Sequence, residues 1–237
     1  MIYRELSSEE FNDLASRILY EDNHLLVVNK RVGEIVQGDK TSDEPLTETY
    51  KAFIAKRDAK PGQVFMGLPH RLDRPVSGIV VLAKTSKALE RLNAMFRDSD
   101  VHKFYWALVC AAPAPAEGHL EDMMWRNEKQ NKSYICRPGS ARKDAKLAKL
   151  NYRQIAKTDR YWLVEVELLT GRHHQIRCQL SNLGCPIKGD LKYGAPRSNL
   201  DGGISLHARR ITFIHPVKKE PLTIEAPVPT SWKGLSL

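Results

Sequence analysis

Residues 70 to 78, His-Arg-Leu-Asp-Arg-Pro-Val-Ser-Gly, hold one carboxylate, Asp73, with Arg71 and Arg74 on either side. An ionised carboxylate can act as a nucleophile or take a proton, and a neighbouring guanidinium favours the ionised form. The plainer alternative is a surface ion pair at a turn. Pro75 to Gly78 signals a turn, and Ile79-Val80-Val81-Leu82-Ala83 is an unbroken apolar run of the kind that forms a buried strand. Asp73 is therefore predicted on a loop that feeds straight into a core sheet, a common location for catalytic groups.

Other reactive patterns are missing from the sequence. Cys110, Cys136, Cys178 and Cys185 form no CxxC pair and no zinc spacing, so reduced thiols are expected, two or more of them core filler. His173 and His174 are adjacent, expected to point apart on a helix as surface polar residues and to chelate poorly. No HExxH, HxxxH, GxGxxG or P-loop pattern occurs, so neither a metal nor a nucleotide cofactor is expected.

The 237 residues suit one domain, spanning 1–237, with residues 1–17 as an extension ahead of the first core strand. The net charge of +9 suggests a polyanionic partner. No apolar run approaches the ~20 residues of a membrane span, and no secretory leader is visible, so a cytoplasmic protein is expected, by default a monomer. Ser7 to Glu10 reads as a capping box. Arg17–Tyr20 and His24–Lys30 read as strands, 46–56 and 87–97 as helices, and 101–109, 147–157 and 161–169 as strands. Arg172 to Leu183 reads as a helix buried along Ile176, Leu180 and Leu183, with Gly184 as its cap. The last strands lie within 205–215 and 222–225. Between Arg126 and Lys149 there are eight Lys or Arg and two acids, either a solvated hairpin or a basic arm touching phosphates. Many strands and few helices suggest an α+β fold with a mostly antiparallel sheet.

Several stretches together resemble the RluA-type pseudouridine synthases. They are His70–Gly78 (HRLDxxTSG in the family), Lys103–Val109 (KxYxALV), Leu168–Arg177 (LLTGRxHQIR), Gly189–Gly194 (GDxxYG), Leu206-His207-Ala208 and His215-Pro216. The resemblance runs over about residues 18 to 229. It departs at Val76, usually Thr, and at Arg31, usually the Pro of NKPxG, which predicts a less rigid loop there. It implies the pseudouridine-synthase fold, a central, mainly antiparallel sheet with flanking helices and an active-site cleft. It also implies isomerisation of uridines in ribosomal or transfer RNA without a cofactor, by a compact member lacking the S4 module.

The same resemblance gives Asp73 the role of catalytic carboxylate, Tyr105 that of active-site phenol and Arg177 that of partner to Asp73. The alternative for Arg177 is a surface arginine on an amphipathic helix. Arg71 is expected to fill the gap left by a flipped base. His70 is expected to buttress its loop, with Arg74 and Arg172 among the RNA-facing residues. His174 and Gln175 either buttress or donate to phosphate. Two other classes compete. An RNA-binding protein without activity would lack Asp73, and a hydrolase acting at C1′ would need a second carboxylate about 5–10 Å away, which the motif does not supply.

Overall fold

The computed structural model describes residues 3–38, 41–137, 139 and 142–232. The chain, expected to form one domain, groups into two compact units: Met1–Val101 with Arg210–Pro227, and His102–Arg209 with Val228–Leu237.

In the first unit, α1 (Ser8–Ser16) starts at Ser7, whose hydroxyl accepts from the Glu10 amide. Strands β1 (Ile18–Glu21), β2 (Leu25–Lys30) and β3 (Ser77–Ala83) pair antiparallel in that order. Asp22 turns the first hairpin by accepting from the amides of His24 and Leu25. All seven residues of β3 are buried, which is why its sequence is a continuous apolar run and not an alternation. Each fully buried Val, Leu or Ile contributes roughly 1.5–3 kcal/mol. Helices α2 (Leu46–Arg57) and α3 (Ser86–Asp98) supply Tyr50, Phe53, Ile54, Ala88 and Leu92 to the core. Thr85 caps α3, its hydroxyl accepting from the Ala88 amide.

The strands of the second unit pair antiparallel, out of sequence order. β4 (His102–Val109) pairs with β8 (Trp162–Leu168), β8 with β7 (Lys146–Lys157), β7 with β5 (Glu117–Asn127), and β5 with β6 (Lys132–Ile135). β5 was not foreseen, since Glu117, Glu121, Asp122 and Arg126 interrupt any apolar pattern. It becomes a strand because β7 pairs along it from Glu117↔Arg153 to Met124↔Lys146. α4 (Gln175–Asn182) and a 3-10 turn (Leu191–Tyr193) complete the unit. β9 (Leu206–Ile214) carries the chain from the second unit back into the first, where β10 (Pro221–Glu225) pairs with its later half.

α4 departs from its predicted form in two ways. It begins at Gln175, not Arg172, because His174 takes a left-handed φ of 53°. It is also buried all round, from Gln175 to Leu180, where a single apolar stripe was expected. Among the described residues no helix is long and apolar enough to cross a membrane.

Candidate active site

Asp73 is half-buried in the turn that enters β3. Its carbonyl accepts from the Val76 amide at 3.0 Å. Behind the turn stands Lys30, the last residue of β2 and only 1% exposed. Its ammonium donates to the carbonyls of Val76, Arg31 and Arg74 at 2.7, 2.8 and 3.2 Å. The Gly33 amide adds a bond of 2.9 Å to the Arg74 carbonyl, from a φ of 88° that favours glycine. The end of β2 and the Asp73 turn are thus fastened together through backbone oxygens. Burial pulls the Lys30 pKa down to about 8, while the negative charges of Glu34 and Asp73 hold its proton on.

The loop at Arg31 is tied, not loosened as the missing proline predicts. The Arg31 amide, which proline lacks, donates to Glu34 Oε2 at 2.8 Å, and its guanidinium pairs with Asp13. Arg17 joins Glu34 at 2.6 Å and Asp13 at 3.3 Å.

The neighbours of Asp73 divide their tasks. His70 Nε2 accepts from the Val81 amide at 2.9 Å, and its ring stacks on Phe96 at 4.7 Å, which pins the loop to β3 and α3. Arg74 pairs with Asp43 and reaches Thr41 Oγ1 at 3.3 Å. Arg71 is exposed and lines a cleft of about 590 Å³ with His70, Glu48, Met66 and Leu68. Asp73 is not among the residues lining that cleft.

In the second unit, Tyr105 lies on β4 opposite Val166 and is 8% exposed. Arg177 is 5% exposed, which excludes the surface-arginine alternative. Within this unit Arg177 makes a two-pronged contact with Asp190. Nε and Nη2 donate to its two oxygens at 2.6 and 2.9 Å. The Tyr193 ring lies 5.1 Å from the guanidinium carbon. Asp190 and Tyr193 both come from the GDxxYG stretch, recognised in the sequence as a landmark without a task. Gly189 before them, at φ 89°, cannot carry a side chain, since a Cβ would come within 2.7 Å of Asn199 and the Gly203 carbonyl.

The turn ahead of α4 corrects the reading of the paired histidines. His173 and His174 precede the helix, their rings stack at 3.7 Å, and His174 is buried. Its Nδ1 lies 3.0 Å from the Tyr193 hydroxyl. Burial, then the charge of Arg177, drives its pKa down to about 2, so it stands neutral. Gln175 accepts from Thr170 Oγ1 and the Arg172 amide at 2.7 and 3.0 Å, and donates to the Lys149 carbonyl and Gln179 at 3.0 Å each. Arg172 Nε donates to the Leu147 carbonyl at 2.8 Å. These polar side chains tie the start of α4 and the turn ahead of it to β7. Among the described residues no three metal-ligating side chains converge. Pattern reading left Lys30, Asp190 and Tyr193 without tasks. The only signals for them are the Asn-Lys ending of β2 and the GDxxYG stretch.

Comparison with known proteins adds an independent line. Residues 24–182 match the family model for RNA pseudouridylate synthase. The chain is similar to a ribosomal large subunit pseudouridine synthase C of Vibrio vulnificus, 34% identical over 222 residues, covering 91% of this chain and 67% of the relative. A ribosomal large subunit pseudouridine synthase D of Zymomonas mobilis is 31% identical over 231 residues, covering 93% and 71%. Among solved structures, Human RNA Pseudouridylate Synthase Domain Containing 4 superposes with a TM-score of 0.78 at 26% identity, covering 93% of this chain and 92% of its own.

Proposed function

The chain belongs to the RNA pseudouridylate synthase family, whose members are isomerases, and we propose that its substrate is a uridine of ribosomal RNA and Asp73 its reacting carboxylate. The reaction breaks the bond between ribose C1′ and base N1, turns the uracil and joins C5 to C1′. The proton on C5 leaves and N1 gains one, so atoms balance without a redox partner or an energy source. A carboxylate can carry this by adding to the ribose or the base, or by taking the C5 proton.

The observation that carries the reading is the build of the Asp73 turn. A carboxylate that must meet one atom of a large substrate needs a backbone that does not yield. Lys30 supplies this by donating to the Arg74 and Val76 carbonyls of the turn, and His70 adds a second anchor. Tyr105 and Arg177 enter through the family motifs they occupy. The phenol suits stacking on uracil and proton transfer, and the guanidinium suits a developing negative charge. Arg71, exposed and planar, is the proposed occupant of the gap left by the everted uridine. With His70, Arg74, His174 and Gln175 engaged in bonds inside the chain, their part in the reading is to hold the loop that bears Asp73 and the helix that bears Arg177. The relatives named for the ribosomal large subunit support a ribosomal target over transfer RNA.

Asp73→Asn, nearly the same shape without the charge, is expected to abolish pseudouridine formation while RNA binding survives. Turnover retained in that variant removes Asp73 from the reaction. Mapping pseudouridines in ribosomal and transfer RNA from cells lacking the protein tests the substrate. A site lost from transfer RNA alone overturns the ribosomal assignment.

A further inference from the structure

The sheet of the second unit has a covered face and an open one around β5. On the covered face Met124 and Ala148 pack with Cys178 and Tyr193. Alternate residues of a strand point the other way, beside those of their cross-strand partners. There Met123 lies opposite Leu147, and Trp125 opposite Tyr134. Met123 and Leu147 are 44% and 36% exposed, two of the six large apolar side chains so exposed among the described residues. The Trp125 and Tyr134 rings stack at 5.1 Å and 24°. The Arg142 guanidinium lies 3.7 Å from the Trp125 centroid, and Asp144 accepts from its Nε and Nη2 at 3.0 and 2.9 Å.

Two properties of this face select its occupant. The rings and the guanidinium form an ordered stack, the surface that takes up the flat faces of nucleobases. The segment 126–149 around it holds eight Lys or Arg against two acids, a charge that a polyanion neutralises and an apolar protein surface does not. Bases inside an RNA helix are already stacked on one another, so only an unpaired segment can supply one.

We propose that this face docks an unpaired stretch of the substrate RNA, a base extending the Tyr134–Trp125–Arg142 stack while its phosphates meet the basic residues of 126–149. The proposal rests on the reading that the chain acts on RNA, but it concerns recognition by other residues than those of the Asp73 turn.

The test uses the full chain and a labelled RNA stem–loop with roughly ten unpaired nucleotides, followed by fluorescence anisotropy over a range of salt. Trp125→Ala should weaken binding at least ten-fold, and Trp125→Phe should restore most of it. Arg142→Ala should weaken binding and lower the slope of log affinity against log salt by about one. A change below two-fold for Trp125→Ala overturns the proposal. So does equal weakening toward a fully paired duplex, or a shift in oligomeric state with RNA affinity unchanged. If Trp125→Ala melts early, the exposed-site variants Met123→Ser and Arg142→Ala decide in its place. Pseudouridine formation by the unaltered protein is scored separately. Its absence counts against the proposed reaction, while the anisotropy series still decides the docking face.

Discussion

Arg177 and Asp190 form a two-pronged ion pair at 2.6 and 2.9 Å, with side chains 6% and 1% exposed. The pair joins the middle of α4 to the start of the 3-10 turn, and Tyr193 at the end of that turn covers the guanidinium. Asp190, which takes no part in the proposed reaction, thus helps to orient Arg177.

Removing the carboxylate should deprive a buried cation of its two-pronged acceptor. Asp190→Ala is expected to cost about 3–5 kcal/mol in chemical denaturation. Asp190→Asn, which keeps an acceptor, should cost less. A loss under about 1 kcal/mol for the alanine variant would mean that water or another acid replaces Asp190.

Lys30 predicts a rise of stability with pH. Its pKa falls from 10.5 in the unfolded chain to about 8 when folded, first because of burial. Between those values the unfolded chain binds the extra proton, so stability climbs as pH rises through that window. The full climb is about 3 kcal/mol. In Lys30→Met it should vanish from a denaturation series run from about pH 7.5 to 10. Turnover should fall as well, since the carbonyls around Asp73 lose this donor. An undiminished climb would place the pH dependence on another group, and normal turnover would deny the ammonium its part in holding the Asp73 turn.

His174 predicts a dependence of the same sign in the acid range. Its folded pKa is about 2 against 6.5 unfolded, from burial and the nearby Arg177 charge. Its contribution is complete above 6.5 and is lost as pH falls below that value, by up to about 1.4 kcal/mol per pH unit. His174→Asn suits the left-handed φ of 53° and cannot take up that proton. Its stability should fall less steeply between about pH 6 and 4. A slope matching that of the unaltered chain would place the acid sensitivity elsewhere.

What was legible in the sequence followed local pattern. The apolar run Ile79–Ala83 announced β3 and so the place of Asp73, and Ser7 announced its helix. What was not legible depended on partners distant in the chain. Lys30 reads as an ordinary surface cation until Arg74 and Val76 bring their carbonyls to it. Gln175, Arg177 and Gln179 read as the wet side of a helix. They are buried because Lys149, Asp190 and Asp122 satisfy them. β5 has no apolar rhythm and owes its form to β7. The departure at Val76 also makes sense only in three dimensions. Lys30 uses that residue's carbonyl, and its side chain, 2% exposed, is a β-branched shape like the threonine it replaces.

Position 31 shows that family averages are not interchangeable parts. Putting proline back would delete the amide that reaches Glu34 and the guanidinium that reaches Asp13. Arg17 would then carry two acids that had shared their charge with another partner. In this background the commonest relative's residue is the damaging one, and its effect depends on whether Asp13 and Glu34 are changed with it.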